Sequence, residues 1–237
     1  MVDIHCHILP EVDDGAESLS DALEMAYMAA SCGVPDLVAT SHIRGSREGL
    51  EEIGILHRQF LSLQEAIARE HIPLRLHFGA EILCTRETAE LARQGRLPTM
   101  GSTSYVLCEF YFDTPWHHME DILDAIVQSG YRPIIAHPER YDALREDRRR
   151  IQHWFRCGYV LQVNKGSLLG AFGGRIRSTA LWMLETGLLH LIASDAHSPL
   201  RRTTDLTRLK EFLLDRYPPG YVRLLLEENP GRVIRGQ

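Results

Sequence analysis

Nine side chains able to ligate a metal stand at or just past the ends of six short apolar runs. They are His5, His7, Asp14, His42, Glu81, Glu109, His137, Asp195 and His197, and the runs are Val2–Ile4, Leu37–Ala39, Leu74–Phe78, Tyr105–Leu107, Pro133–Ala136 and Leu191–Ala193. Each run reads as a β-strand. A parallel barrel gathers the C-terminal ends of all its strands on one face, so ligands remote in sequence become neighbours there. Side chains alternate along a strand, which puts the members of His5-x-His7 and of Asp195-x-His197 on common faces. These pairs sit on the first and last strands, which lie side by side if the barrel closes.

Strand and helix signals alternate about seven times along the chain, the pattern of a parallel sheet with crossover helices. Ser18 and Asp21 open the first helix, which ends before Gly33. Longer or shorter helical stretches follow near 47–70, 86–95, 119–129, 145–156 and 179–185, and Asn229-Pro230 reads as the N-cap and first residue of the last helix. The fold class expected is α/β, a closed or nearly closed barrel of seven units. A doubly wound sheet is the runner-up, but no Gly-x-Gly-x-x-Gly follows the first strand. Without a linker, repeat or low-complexity segment, residues 1–237 are expected to form one domain.

Composition removes other classes. A net charge of -6, from 26 basic and 32 acidic residues, argues against broad nucleic-acid binding, and Arg148-Arg149-Arg150 reads as a solvated helix face. No apolar stretch is long enough to insert in a membrane. Met1–His5 lacks the charged and apolar regions of a signal peptide, so a cytoplasmic location is expected. Five cysteines without paired spacing do not form a thiolate zinc site. None has the arginine six residues on that a cysteine-based phosphatase loop requires. Cys6 points away from its two histidine neighbours and reads as a small buried hydrophobe. His117 and His118 read as an exposed loop pair, and His57, His71, His77, His153 and His190 as surface or packing residues.

Imidazole and carboxylate without thiolate suit Mn, Fe or Zn, with Co or Mg as further options. Nine ligands exceed one ion's needs and are reasonable for three divalent ions. Six positive charges against four carboxylates leave about two, a complement to a phosphate dianion. Metal-assisted phosphoester hydrolysis follows as the natural reaction. Arg140, three residues past His137, and Arg202, five past His197, fall in loops on the same face, where a guanidinium fork matches phosphate oxygens. The sequence leaves Arg201 open as the alternative to Arg202.

Together, Asp3-Ile-His-Cys-His7 with Val12-Asp-Asp-Gly15, Thr40-Ser-His42, Gly79-Ala-Glu81-Ile82, Ala136-His-Pro-Glu-Arg-Tyr141, Gln162-Val-Asn164 and Ala193-Ser-Asp-Ala-His197 resemble the PHP (polymerase and histidinol phosphatase) superfamily. Within it, the chain is similar over nearly its full length to the bacterial manganese-dependent protein-tyrosine phosphatases of capsule and exopolysaccharide operons. The resemblance implies a distorted (β/α)7 TIM-like barrel of the PHP type and a trinuclear site, manganese foremost. One ion would take His5, His7, Glu81 and Asp195. Glu81 would bridge to a second with Glu109 and His137, while Asp14, His42 and His197 would hold the third. Arg140 and Arg202 would bind the substrate phosphate. The implied partner is a phosphotyrosine protein, an autophosphorylating tyrosine kinase. The rival readings are a PHP phosphatase for a small metabolite such as histidinol phosphate, a polymerase-type phosphodiesterase, and a PHP module that has lost catalysis. Nothing in the sequence fixes an oligomeric state.

Overall fold

The computed structural model describes residues 1–237. Its strands are β1 (Val2–Cys6), β2 (Asp36–Ala39), β3 (His42–Arg44), β4 (Arg75–Phe78), β5 (Glu81–Leu83), β6 (Tyr105–Glu109), β7 (Arg132–Ala136), β8 (Val160–Asn164) and β9 (Leu191–Ala193). Between and after them run helices α1 (Leu19–Ser31), α2 (Arg47–Arg69), α3 (Arg86–Arg93), α4 (Trp116–Gln128), α5 (Asp142–Glu146), α6 (Arg149–Arg156), α7 (Lys165–Leu169), α8 (Gly174–Thr186), α9 (Thr207–Leu214), α10 (Pro219–Arg223) and α11 (Asn229–Arg235). Every strand pair is parallel, as the alternating pattern requires.

The strands form two sheets, β1-β2-β4 and β3-β5-β6-β7-β8-β9. Nine strands stand where seven were expected, because two expected strands each divide. Thr40-Ser41 separates β2 from β3, and Gly79-Ala80 separates β4 from β5, so the chain passes twice from the smaller sheet to the larger. His42 and Glu81 therefore open continuation strands, paired in register with each other. At the opposite edge β1 meets the segment after β9: Asp195 N–H donates to the His5 carbonyl at 2.9 Å and His7 N–H to the Ala196 carbonyl at 2.8 Å.

Alternation decides which residues face inward. Val2, Ile4, Val38, Tyr105, Leu107, Ile134, Ala136, Leu191 and Ala193 form an inner apolar cluster with Met100 and Val233. A larger cluster lies between the strands and the helices. The β1–β2 register shifts between Asp3 and Cys6, which breaks strict alternation at the strand that carries His5. Cys6 is fully buried in the outer cluster, as its reading as a hydrophobe requires.

Several local expectations change. The helix expected over 145–156 is two helices, broken at Asp147, whose backbone is extended (φ -135°). Asn229 is helical (φ -65°), not an N-cap: α10 continues through a π-helical turn at Leu224–Glu228 into α11. That wider turn is where a helix absorbs the missing N–H and ring bulk of Pro230. His117 and His118 are exposed, but they lie in the first turn of α4. In the arginine run only Arg149 is fully exposed; Arg148 reaches Ser178 Oγ at 2.9 Å and Arg150 lies over the Trp116 ring. No helix is long and apolar enough to cross a membrane.

Candidate metal centre and active site

All nine expected ligands converge on one face, at or past the C-terminal ends of β1, β2, β4, β6, β7 and β9, where His42 and Glu81 open β3 and β5. Glu81 is the hub. Its Oε2 lies 3.1 Å from His5 Nε2, 3.2 Å from His7 Nε2 and 3.2 Å from His42 Nδ1, and its Oε1 lies 3.1 Å from His137 Nε2. Glu109 touches two of the same rings, His42 at 3.4 Å and His137 at 3.4 Å. Asp195 Oδ1 approaches His5, His7 and His197 at 3.5–3.6 Å. Asp14 stands at the rim, its side chain 67% exposed, 3.6 Å from His42 and 3.5 Å from His197.

Donor atoms that could surround an ion fall into three overlapping groups: His5, His7 and Glu81; His42, Glu81 and Glu109; and His7, Asp14, His42 and His197. The first lies within the set implied for one ion. The second holds His42 in the position implied for His137, and the third adds His7 to the set implied for another. His137 remains within 3.4 Å of both Glu81 and Glu109.

Three site residues other than glycine have left-handed backbones, His137 (φ 36°), Asp195 (φ 50°) and Arg202 (φ 39°). Such conformations cost about 1–3 kcal/mol each and collect at functional sites. His137 and Asp195 stand within two residues of the ends of β7 and β9, and Arg202 in the loop that follows β9. Gly15 serves differently: a Cβ there would stand 2.1 Å from the His7 carbonyl, so only glycine lets the Asp13–Gly15 turn fold against β1.

The electrostatics fit a cation site. Burial opposes charge on Glu109, and the neighbouring Glu81 carboxylate adds to the effect, raising its pKa to about 8. Burial and the nearby His7 depress His197 to about 3. For His7, hydrogen bonds to Asp13 and Glu81 outweigh burial and raise it to about 10. Burial likewise opposes ionisation of Asp195, but His5 and Arg202 overcome it and lower its pKa to about 2. The His137 Nδ1 atom is buried without a partner. Crowded carboxylates and imidazoles held in alternate protonation states are a donor set that divalent cations suit, replacing protons with metal charge.

The motifs Val12-Asp-Asp-Gly15 and Gln162-Val-Asn164 also supply a supporting layer, to whose residues the sequence reading gave no role. Asp13 Oδ2 takes His7 Nδ1 at 2.9 Å and His42 N–H at 2.9 Å, while Oδ1 accepts from Gly15 N–H at 3.0 Å. His5 Nδ1 donates to Gln162 Oε1 at 2.9 Å, Gln162 Nε2 donates to Asn164 Oδ1 at 2.8 Å, and Asn164 Nδ2 donates to Asp195 Oδ2. The relay fixes the His5 proton on Nδ1 and aims Nε2 at the cluster. The signal was the Gln162-Val-Asn164 spacing, whose alternation puts both amides on one face of β8.

The arginines meet at Asp195 Oδ2, Arg202 at 2.5 Å and Arg140 at 3.6 Å. Both guanidiniums also lie over the Phe172 ring, and Arg140 over Phe112 at 4.4 Å. His197 N–H donates to the Arg202 carbonyl at 2.9 Å, closing the loop so that Arg202 faces the cluster while Arg201 is exposed.

The sequence matches the family described as "Capsular polysaccharide synthesis, CpsB/CapC" over residues 1–235. It is 33% identical over 237 residues to the tyrosine-protein phosphatase YwqE of Bacillus subtilis, covering all of this chain and 92% of that protein. Against the tyrosine-protein phosphatase CpsB of Streptococcus pneumoniae it is 30% identical, covering all of this chain and 99% of that protein. Among solved structures it superimposes with a TM-score of 0.88 and 32% identity on one from a study of YwqE and CpsB as "unique metal-dependent tyrosine phosphatases", covering all of this chain and 95% of that one.

Proposed function

Because the chain belongs to the CpsB/CapC family, we propose that its ligand cluster is the active site of a metal-dependent protein-tyrosine phosphatase acting in capsule or exopolysaccharide production. It is an enzyme, a phosphoric monoester hydrolase. The observation that carries the site assignment is the contact of Glu81 with four imidazoles beside two converging arginines.

The finer reading is a distorted (β/α)7 barrel of the PHP type formed as one domain by residues 1–237. Three divalent ions, manganese foremost, would be held by His5, His7, Asp14, His42, Glu81, Glu109, His137, Asp195 and His197. Such ions would supply Lewis-acid polarisation and a nucleophile at neutral pH. Glu81, reaching rings on both sides, would bridge two of them. Asp13 and Gln162 hold His7 and His5 in the tautomers that leave the inward nitrogens free. Asp195 Oδ2 holds the arginine pair beside the cluster. A phosphate dianion would draw the two guanidiniums onto its own oxygens, where charge-assisted forks orient it and stabilise charge developing in the transition state. The substrate would be a tyrosine kinase that phosphorylates itself, met in the cytoplasm.

One assay tests the reading against its rivals: a phosphotyrosine peptide, histidinol phosphate and a nucleic-acid diester offered to the manganese-loaded protein, before and after chelation. Preferential hydrolysis of the peptide, abolished by chelation and restored by Mn²⁺, is the expected result. Turnover of histidinol phosphate alone moves the assignment to a metabolite phosphatase, and full activity with metal content near zero overturns it.

A further inference from the structure

Two clefts flank the ligand cluster, and their walls differ in kind. The cleft beside Arg202 is lined by Lys165, Asp205 and Arg208, with Phe172 as its one aromatic wall. The other, of about 390 Å³, starts at His42 and Glu109 and runs outward between Val12, Ile43, Leu83, Tyr111 and Phe112. The second also takes Asp13, Arg44 and Glu52 into its lining, but it alone joins His42 and Glu109 directly to a group of apolar side chains, the character of a pocket that recognises an apolar group.

Its outer wall is two aromatic rings displayed to solvent. Tyr111 is 60% and Phe112 40% exposed, two and three residues after Glu109. They are not loosely held. The preceding Phe110 is buried, and its N–H is bonded to Tyr141 Oη at 3.2 Å. Thr114 N–H closes a turn onto the Tyr111 carbonyl at 2.9 Å, and Asp142 N–H donates to the Phe112 carbonyl at 2.8 Å. The Phe112 ring also carries the Arg140 guanidinium at 4.4 Å, so the cleft wall and the arginine pair share a side chain. Exposed aromatic rings on a pinned backbone, beside a charged centre, form a surface prepared for a flat apolar group.

We propose that this cleft is an aryl subsite, seating the ring of a phosphotyrosine whose phosphate lies on the ligand cluster. Tyr111 is the wall that favours aryl over alkyl phosphoesters. The proposal rests on the phosphatase reading above and adds the residues that select the leaving group. The cleft beside Arg202 gathers three cations, Lys165, Arg202 and Arg208, around a single aromatic ring, and seating an aryl group there would desolvate more charge than beside Tyr111 and Phe112.

The test uses phosphonates, which bind without being hydrolysed. Phenylphosphonate and methylphosphonate are titrated calorimetrically into the manganese-loaded wild-type chain, Tyr111→Ala and Tyr111→Phe. Phenylphosphonate is expected to bind about tenfold tighter than methylphosphonate to the wild type, from ring packing and stacking. Tyr111→Ala should erase most of that preference while the methylphosphonate Kd holds, and Tyr111→Phe should keep it. Equal binding of the two anions by the wild type overturns the subsite, even if phosphotyrosine peptides are hydrolysed. So does a Tyr111→Ala variant that loses both anions alike. An aryl preference that depends on Tyr111, in a protein that hydrolyses no phosphotyrosine peptide, supports the subsite and overturns the phosphatase reading instead.

Discussion

The two ends of the same strands are built on opposite rules. At the N-terminal ends Asp36 and Arg132 each meet groups of a complementary kind. Asp36, opening β2, accepts from Arg75 Nε at 2.7 Å and Nη2 at 2.5 Å, and lies 2.8 Å from His77 on β4. Arg132, opening β7, lies 4.3 Å over the Tyr105 ring, and both reach the Gln237 carbonyl. At the other ends the groups crowd their own kind: His5 and His7 approach at 3.3 Å, His7 and His197 stand with ring centroids 3.9 Å apart, and burial followed by the Glu81 carboxylate opposes ionisation of Glu109. The first end is arranged to hold the protein together. The second makes sense only with guests that bring positive charge and then negative, and its crowding is the kind of local cost that function imposes on stability.

Breaking the second end should reach function before fold. Glu81→Ala should have the largest effect, with loss of two ions and of activity, because its carboxylate stands between ligand groups; Asp14→Ala, at the exposed rim, should lose one. Metal stoichiometry of the two purified variants decides it, and one ion lost from each would remove Glu81 as a bridge. Next, Arg202→Ala or Arg140→Ala should keep fold and metal while lowering kcat/KM on a phosphotyrosine peptide by about 10²–10³. Lys at either position should recover part of that, since a point charge lacks the fork. Arg201→Ala should be mild. A reversed order for the Arg201 and Arg202 variants would shift the assignment of that loop by one residue.

Gln162→Leu sharpens the contrast without touching a ligand. It removes the acceptor that fixes His5, and metal affinity measured by competition with a chelator should fall about 10–100-fold. Gln162→Glu, which keeps the acceptor, should fall less; equal losses would mean that packing alone matters there. The smallest effect belongs to the other end. Burial opposes ionisation of Asp36, but Arg75 and His77 outweigh it and lower its pKa. Its contribution is therefore complete above the ordinary carboxylate value near 4 and is lost as pH falls through the lowered folded value. Asp36→Asn should cost less than about 1 kcal/mol at pH 7, because Arg75 is 71% exposed. The difference should vanish in strong acid, as thermal melts at the two pH values would show, and at pH 7 the variant's metal content should match the wild type's.

Legibility divides along the same line. The convergence of the candidate ligands could be read because each follows an apolar run at short range, and parallel topology does the rest. The breaks at Thr40-Ser41 and Gly79-Ala80 could not, since small and polar residues past a run look the same whether the strand ends or resumes in a second sheet. Asp13, Gln162 and Asn164 carried no ligand signature; their roles arise from partners as far as 157 residues away. Asn229-Pro230 has the chemistry of a helix start, and only the π turn before it reveals a helix already in progress. In Arg201-Arg202, identical neighbours were separated by one left-handed backbone, which no composition announces.

The pairing of β1 with both β2 and the segment after β9 has a consequence for biosynthesis. Of the nine strands, β1 is made before the others, yet it gains its second neighbour only when residues 195–196 have been made. An ion set that needs Asp195 or His197 is therefore incomplete through most of translation. Until then, His5 and His7 lie on an open strand edge, and contacts this distant in sequence form slowly. Of these strands β1 is made earliest and completed late, so metal should enter a chain whose scaffold is almost finished.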